Sequence, residues 1–138
     1  MEIKIRSWTK QDRYFVYSTF KKQLYRSKLN DYRFMEKSDY ESYMNHLLDS
    51  KLDKLNVDIV CPVDAEFQIL GYIIYSLLHD CLVYVYVKSI YRRNGLFNKM
   101  ANDSFKGPPV FYSFRTSDKT WRKYTKDYAV KYLPIEFL

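Results

Sequence analysis

Residues 68–97 constrain the fold of this chain more than any other segment. Two apolar runs, 68–78 and 81–87, are separated only by His79 and Asp80. The second run ends in the charged stretch KSIYRRNG, after which Leu96, Phe97, Met100 and Ala101 recur at helical spacing. A two-residue break between runs rich in Ile, Val and Tyr is a hairpin signal. The change to a three- and four-residue period marks a strand handing over to a helix, which Gly107, Pro108 and Pro109 then stop. Strand, strand, loop and helix in this order call for a sheet with a helix packed on it.

The flanking sequence extends both layers. Residues 2–8 alternate, with Ile3 and Ile5 on one side and Lys4 and Arg6 on the other, which predicts a half-buried strand. Thr9 is placed to cap a helix reaching about Arg26, with Asp12 in its first turn and Tyr14, Tyr17, Phe20 and Leu24 on one face. Ser38 and Glu41 form a capping-box pattern ahead of Tyr40, Tyr43, Met44, Leu47 and Leu48. Residues 56–63 read as a strand and 64–66 as its turn. Further on, 110–114 is a short strand, and Ser117 or Asp118 caps a last helix striped by Trp121, Tyr124, Tyr128 and Tyr132. Pro134 closes that helix and leaves residues 135–138 for one short strand. The expected fold is α+β: a central mixed, mostly antiparallel sheet with helices on both faces, in a single domain spanning residues 1–138.

Composition narrows the setting. With 47% hydrophobic residues and only three glycines, the chain has the makings of a packed core and little linker. No segment approaches the roughly 20 apolar residues of a membrane span, and the first ten residues mix charge with apolar side chains, so a soluble, unexported, cytoplasmic protein is expected. Cys61 and Cys81 sit in apolar runs as buried, reduced thiols, and neither His46 nor His79 joins them at a metal-ligand spacing, so no metal site is predicted. No GxSxG elbow, Walker loop or Cys–His nucleophile pattern occurs. The net charge of +7 is lopsided: residues 88–131 hold eleven Lys or Arg against three Asp. That field suits an anionic partner, or is simply a solvated basic surface.

The loop itself has a chemistry. A strand that runs through a loop directly into a helix aims unpaired backbone N–H groups and the positive end of the helix at one point, which is where a phosphate binds. Arg93, Asn94, Gly95 and Leu96 would supply those N–H groups, with Gly95 allowing close approach and Arg92 adding charge.

In ILGYIIYS, CLVYVYVKSIYRRNGLF and the order of its elements, the chain resembles the GNAT superfamily of acyl-CoA N-acyltransferases. The family's hallmark is RxxGxG/A or QxxGxG/A, and Arg92 and Gly95 match it. The resemblance covers nearly the whole chain. It implies a GNAT-like sheet, acetyl-CoA or another acyl-CoA held by its pyrophosphate at 92–97, and an amine acceptor. It also implies that the backbone at Val85 and Val87 binds the thioester oxygen and pantetheine where the sheet splays open. Direct transfer needs a proton donor for the leaving thiolate. Tyr128 best matches the family's tyrosine, with Tyr124 second, although both also fit the buried stripe of the last helix. No base is named, because Tyr84 and Tyr86 stand where some relatives carry Glu.

Two features depart from the family. Phe97 replaces a small residue, so its ring either packs inward or crowds the pyrophosphate position. Only one strand fits after the last helix, where two are usual, implying a C-terminally shortened sheet and a site that is truncated or completed by a second copy. The wording YVYVK and YRR.G and the KYLP segment are also similar to short GNAT-like proteins of tailed bacteriophages. That likeness implies a non-catalytic assembly role with virion proteins as partners, in the host cytoplasm or the virion. A third reading, nucleic-acid binding, draws on Arg115, Lys119, Arg122, Lys123 and Lys126 interleaved with Trp121 and Tyr124, residues that a basic rim for the phosphates of coenzyme A explains equally well.

Overall fold

The computed structural model describes residues 1–92, 94–105, 107–114 and 119–138, the side chains of 119–121 excepted. The chain runs β1 (Ile3–Ser7), α1 (Arg13–Arg26), α2 (Lys37–Lys51), β2 (Asn56–Pro62), β3 (Gly71–Ser76), β4 (Cys81–Val87), α3 (Leu96–Ser104), β5 (Phe111–Tyr112), α4 (Lys119–Asp127) and β6 (Lys131–Tyr132). The strands form one sheet in the order β1-β2-β3-β4-β5-β6. The first three pairings are antiparallel and the last two parallel. This is the mixed, mostly antiparallel α+β sheet expected.

Alternation along the strands gives the sheet two apolar faces. Val57, Ile59, Cys61, Tyr72, Ile74, Cys81 and Val83 point to the face covered by α1 and α2, where Val16, Phe20, Leu24, Tyr40, Met44 and Leu48 meet them. Val60, Ile73, Tyr75 and Leu82 point to the other face, against Leu96 and Met100 of α3 and against Phe105. Helices therefore cover both faces. Gly71 is required where it stands, because a Cβ there would lie 2.5 Å from the Tyr86 carbonyl oxygen of the neighbouring strand. Among the described residues no helix is long and apolar enough to cross a membrane.

Several local expectations shift. On α1 the buried ridge is Val16, Phe20 and Leu24, spaced four apart, while Tyr14 is 83% exposed and Tyr17 reaches sideways to the Asp49 carboxylate at 2.8 Å. Thr9 and Asp12 do form a capping box, but on a 3₁₀ turn (Lys10–Asp12) that precedes the α-helix. α2 starts at Lys37, one residue before the expected Ser38 cap, and Glu36 at its N-cap makes no side-chain hydrogen bond. β3 is shorter than 68–78: the Gln68 N–H closes a turn on the Ala65 carbonyl, and Leu77 and Leu78 are exposed in the hairpin turn.

The last helix ends at Asp127, well before Tyr132. Ala129 takes a left-handed φ of 51°, and the Val130 and Ala129 N–H groups bond to the Thr125 and Lys126 carbonyls, the double closure of a Schellman motif. Tyr128 is thus the helix C-cap, and Tyr132 belongs to a strand. The final strand is Lys131–Tyr132 and not 135–138. Ile135–Phe137 instead form a 3₁₀ turn that buries Ile135 in the α1/α2-face core, with the Tyr43 hydroxyl on the Glu136 carboxylate at 3.0 Å. The proposed caps Ser117 and Asp118 lie outside the described residues.

Candidate functional site

The site begins with a parity argument on β4. Lys88 donates its N–H to the Leu70 carbonyl at 2.9 Å, and the β3–β4 register pairs Tyr86 with Tyr72 and Tyr84 with Ile74. Hydrogen-bonded and non-hydrogen-bonded pairs alternate in an antiparallel ladder, so Tyr84, Tyr86 and Lys88 turn their N–H and C=O groups toward β3. Val85 and Val87 turn theirs the other way, toward β5. Among the described residues β5 pairs with β4 only at Cys81 and Leu82, with the Ser113 N–H on the Leu82 carbonyl at 3.2 Å. A register shift at Ile74/Tyr75 breaks the regular β3–β4 ladder opposite the Cys81–Leu82 end of β4.

β4 leads straight into the loop. The Arg92 Nε donates to the Val87 carbonyl at 3.0 Å, which ties the loop back to the strand and leaves the rest of the guanidinium in solvent. The Tyr91 and Arg92 N–H groups close a 3₁₀ turn on Lys88 and Ser89. Gly95 then adopts φ 76° as N-cap of α3, a conformation natural to glycine. Its carbonyl accepts from Lys99 N at 3.0 Å, and as a glycine it offers the helix no capping side chain. Chain neighbours aside, no heavy atom of the described residues lies within 4 Å of a Cβ built on Gly95.

Asn94 is exposed in the loop and Leu96 anchors it with a buried side chain. Arg93 lies outside the described residues. Phe97 packs inward: it joins Val85, Val87 and Tyr91 around the α3-face core, and its ring meets Tyr124 edge-on at 5.3 Å. Tyr124 in turn meets Tyr128 at 4.9 Å, so both candidate proton donors connect through Phe97 to the start of α3. Burial first, and Tyr128 second, push the Tyr124 phenol above its ordinary value, so it keeps its proton at neutral pH. Tyr128 is 54% exposed.

The opposite side of β4 holds a cluster that sequence reasoning named only as a missing base. Tyr84 and Tyr86 flank Val85 and project toward α1. Phe20 lies 4.9 Å from Tyr84, Phe15 lies 5.8 Å from Tyr86, Tyr72 stacks on Tyr86 at 5.2 Å, and Phe114 closes the group at 6.5 Å from Tyr84. Lys88 sets its Nζ 5.3 Å over the Phe15 ring. Burial raises the Tyr84 phenol, the neighbouring Tyr86 raises it further, and Arg92 draws it back. The tyrosines at alternate positions of VYVYVK were the available signal for this wall.

No protein-family model matches the chain, and no curated protein matches it. Solved structures do. A "possible acetyltransferase" from Clostridium difficile 630 is 20% identical, with 96% of this chain and 92% of that one covered at a TM-score of 0.50. An N-acetyltransferase from Staphylococcus aureus Mu50 is 11% identical, with 94% and 83% covered at 0.56. The chain has the GNAT acetyltransferase fold. A PaiA N-acetyltransferase from Thermoplasma acidophilum, solved in complex with coenzyme A, adds 14% identity over 77% of this chain and 71% of that one at 0.51. The basic residues Arg122, Lys123 and Lys126 are exposed on α4, while Arg115 and the side chains of Lys119 and Trp121 fall outside what is described.

Proposed function

We propose that this chain is an acyl-CoA-dependent N-acyltransferase, with acetyl-CoA as donor and an amine as acceptor. The observation that carries the reading is the β4 edge, which among the described residues pairs with β5 only at Cys81 and Leu82, followed by the loop that leads to the Gly95-capped start of α3. The residues present fit coenzyme A. Gly95 adds no side chain to the loop, the first-turn N–H groups and the helix dipole favour an anion, and Arg92 has guanidinium N–H groups to spare. Arg93, Asn94, Leu96 and Phe97 would add backbone donors to the pyrophosphate. Coenzyme A supplies an activated thioester.

The Val85 N–H would stabilise the oxyanion as the acceptor nitrogen adds to the carbonyl carbon, and the Val87 N–H would hold the pantetheine amide. A phenol at Tyr128 or Tyr124 would return a proton to the departing sulfur. Positioning two substrates across one strand supplies much of the rate. Phe97 does not oppose this reading, since its ring belongs to the core on the α3 side.

Titration with acetyl-CoA tests the proposal. Binding should raise the melting temperature by mass action. Gly95→Ala forces a Cβ into a left-handed conformation, so it should cost about 1 kcal/mol of stability and weaken acetyl-CoA binding more than tenfold. A wild-type protein whose melting temperature is unmoved at millimolar acetyl-CoA overturns the reading.

A further inference from the structure

We propose that Arg92 sets the donor specificity of this site: its guanidinium is a latch on the Val87 carbonyl that a thioester carrying a pyrophosphate draws aside and a bare pantetheine thioester must displace unaided. The inference rests on the donor reading above. Val87 faces Gly71 in the β3–β4 ladder, and Lys88 beside it donates its N–H to the Leu70 carbonyl. Val87 is therefore a non-hydrogen-bonded position whose carbonyl points away from β3. Among the described residues the group that meets this carbonyl is the Arg92 Nε, at 3.0 Å. The side chain thus folds back onto β4, where the donor reading lays the pantetheine arm.

What holds the latch is slight. Arg92 is exposed, and among the described residues no carboxylate forms an ion pair with it. The loop around it is braced by other bonds. The Tyr91 and Arg92 N–H groups close on the Lys88 and Ser89 carbonyls at 2.9 and 3.3 Å, and the Gln68 Nε2 meets the Tyr91 hydroxyl at 3.5 Å. Side-chain torsions alone can therefore release the Val87 carbonyl while the backbone of the loop stays in place. Burial first, then Tyr86, raise the Tyr84 phenol and Arg92 draws it back, in keeping with a guanidinium held against the strand.

Two kinds of donor meet this latch on different terms. A pantetheine arm laid along β4 has amide N–H groups to place, and the Val87 carbonyl is the acceptor beside the N–H already assigned to it. An arm without phosphate competes with Arg92 for that acceptor and leaves the displaced guanidinium only water. A pyrophosphate at the Gly95-led turn, three residues along the chain, offers the guanidinium charged oxygens in the bidentate geometry it favours, a stronger bond than one to a neutral carbonyl. Specificity is that difference: coenzyme A thioesters are admitted, and pantetheine thioesters without the pyrophosphate are held off.

Calorimetric titration of acetyl-CoA and of acetyl-pantetheine into the wild-type chain and Arg92→Ala tests this. The variant should bind acetyl-CoA about tenfold more weakly, for one lost charge-assisted contact, and acetyl-pantetheine roughly fivefold more tightly, for one competing hydrogen bond removed. Opposite signs mark a latch. A residue that only attracts phosphate would weaken the first and leave the second unchanged, and one that only braces the loop would weaken both. The wild-type chain gives a second readout that needs no substitution: nuclear Overhauser contacts from the Arg92 Hε to the Val87–Lys88 backbone should be present in the free protein and lost on saturation with acetyl-CoA. Acetyl-pantetheine affinity that is equal or lower in a folded Arg92→Ala protein, or Hε contacts that persist under saturating acetyl-CoA, overturns the latch and leaves the donor reading standing. Failure of acetyl-CoA to bind either protein overturns the donor reading and the latch with it.

Discussion

Asp12 accepts hydrogen bonds from both Nη atoms of Arg6, at 2.7 and 2.9 Å, and from the Thr9 N–H at 2.7 Å, with 6% of its side chain exposed. One carboxylate thereby locks β1 to the start of α1, which carries Phe15 to the wall of the candidate site. Arg6 is the main reason the Asp12 carboxyl is held below its ordinary value, with the Thr9 N–H assisting against burial. A group whose folded value is depressed stabilises the fold above its unfolded value of about 4 and loses that contribution as pH falls through the lower, folded value. Asp12→Ala should therefore cost about 2 kcal/mol at neutral pH, since it leaves the half-buried Arg6 guanidinium with only the Glu66 and Ser7 carbonyls, and progressively less as pH falls below the unfolded value of about 4 and through the lower, folded one. Urea denaturation at neutral and at acid pH measures this. An equal cost at both would mean that packing, and not the ion pair, holds the corner.

At the scale of elements, β4 is the strand to watch. Its N–H groups alternate between a paired side and an open side, and amide hydrogen exchange should resolve them one by one. Tyr84 and Tyr86 amides, held by β3, should exchange at least about tenfold more slowly than those of Val85 and Val87, and acetyl-CoA should slow only the latter pair. Uniform protection along β4 would mean that the edge is covered and the donor site misplaced. β4 was fully legible in the sequence, because an apolar run bounded by a turn and a charged loop admits one reading. The handover at Gly95 was legible for the same reason. What escaped notice were features set by partners distant in sequence. Val16 displaces Tyr14 from the buried face of α1 because the sheet lies nearer that ridge. The tyrosine stripe assigned to α4 is cut at Tyr128 by the left-handed Ala129, an alanine where such a turn usually announces itself with glycine. How far β5 pairs along β4, at Phe111–Tyr112 among the described residues, is encoded by no local pattern. Phe97 could be placed in a helix from its spacing, but only its meeting with Tyr124 fixes its direction.

Over the whole molecule, the asymmetry of charge coincides with the asymmetry of the sheet. The basic residues 88–131, about a third of the chain, run from the loop after β4 through α3, β5 and α4 to the first residue of β6, whereas β1 to β3 with α1 and α2 are nearly balanced. Such an arrangement raises the potential around the loop after β4 and the start of α3 and should hasten and strengthen the arrival of an anionic donor. Acetyl-CoA affinity should then fall as salt rises from about 0.05 to 0.5 M, over which the Debye length shrinks several-fold, by roughly tenfold or less. The size of the effect discriminates between partners. A nucleic acid neutralised at six or more phosphates would lose on the order of a thousandfold over a much narrower salt range. Calorimetric titrations of acetyl-CoA and of a mixed-sequence oligonucleotide at matched salt concentrations place the basic half in one regime or the other. A modest slope for acetyl-CoA with no oligonucleotide binding at physiological salt fits a cofactor rim. A steep slope for the oligonucleotide, together with acetyl-CoA affinity indifferent to salt, would reassign Arg122, Lys123 and Lys126 to a nucleic-acid surface and leave the donor site to rest on its backbone N–H groups alone.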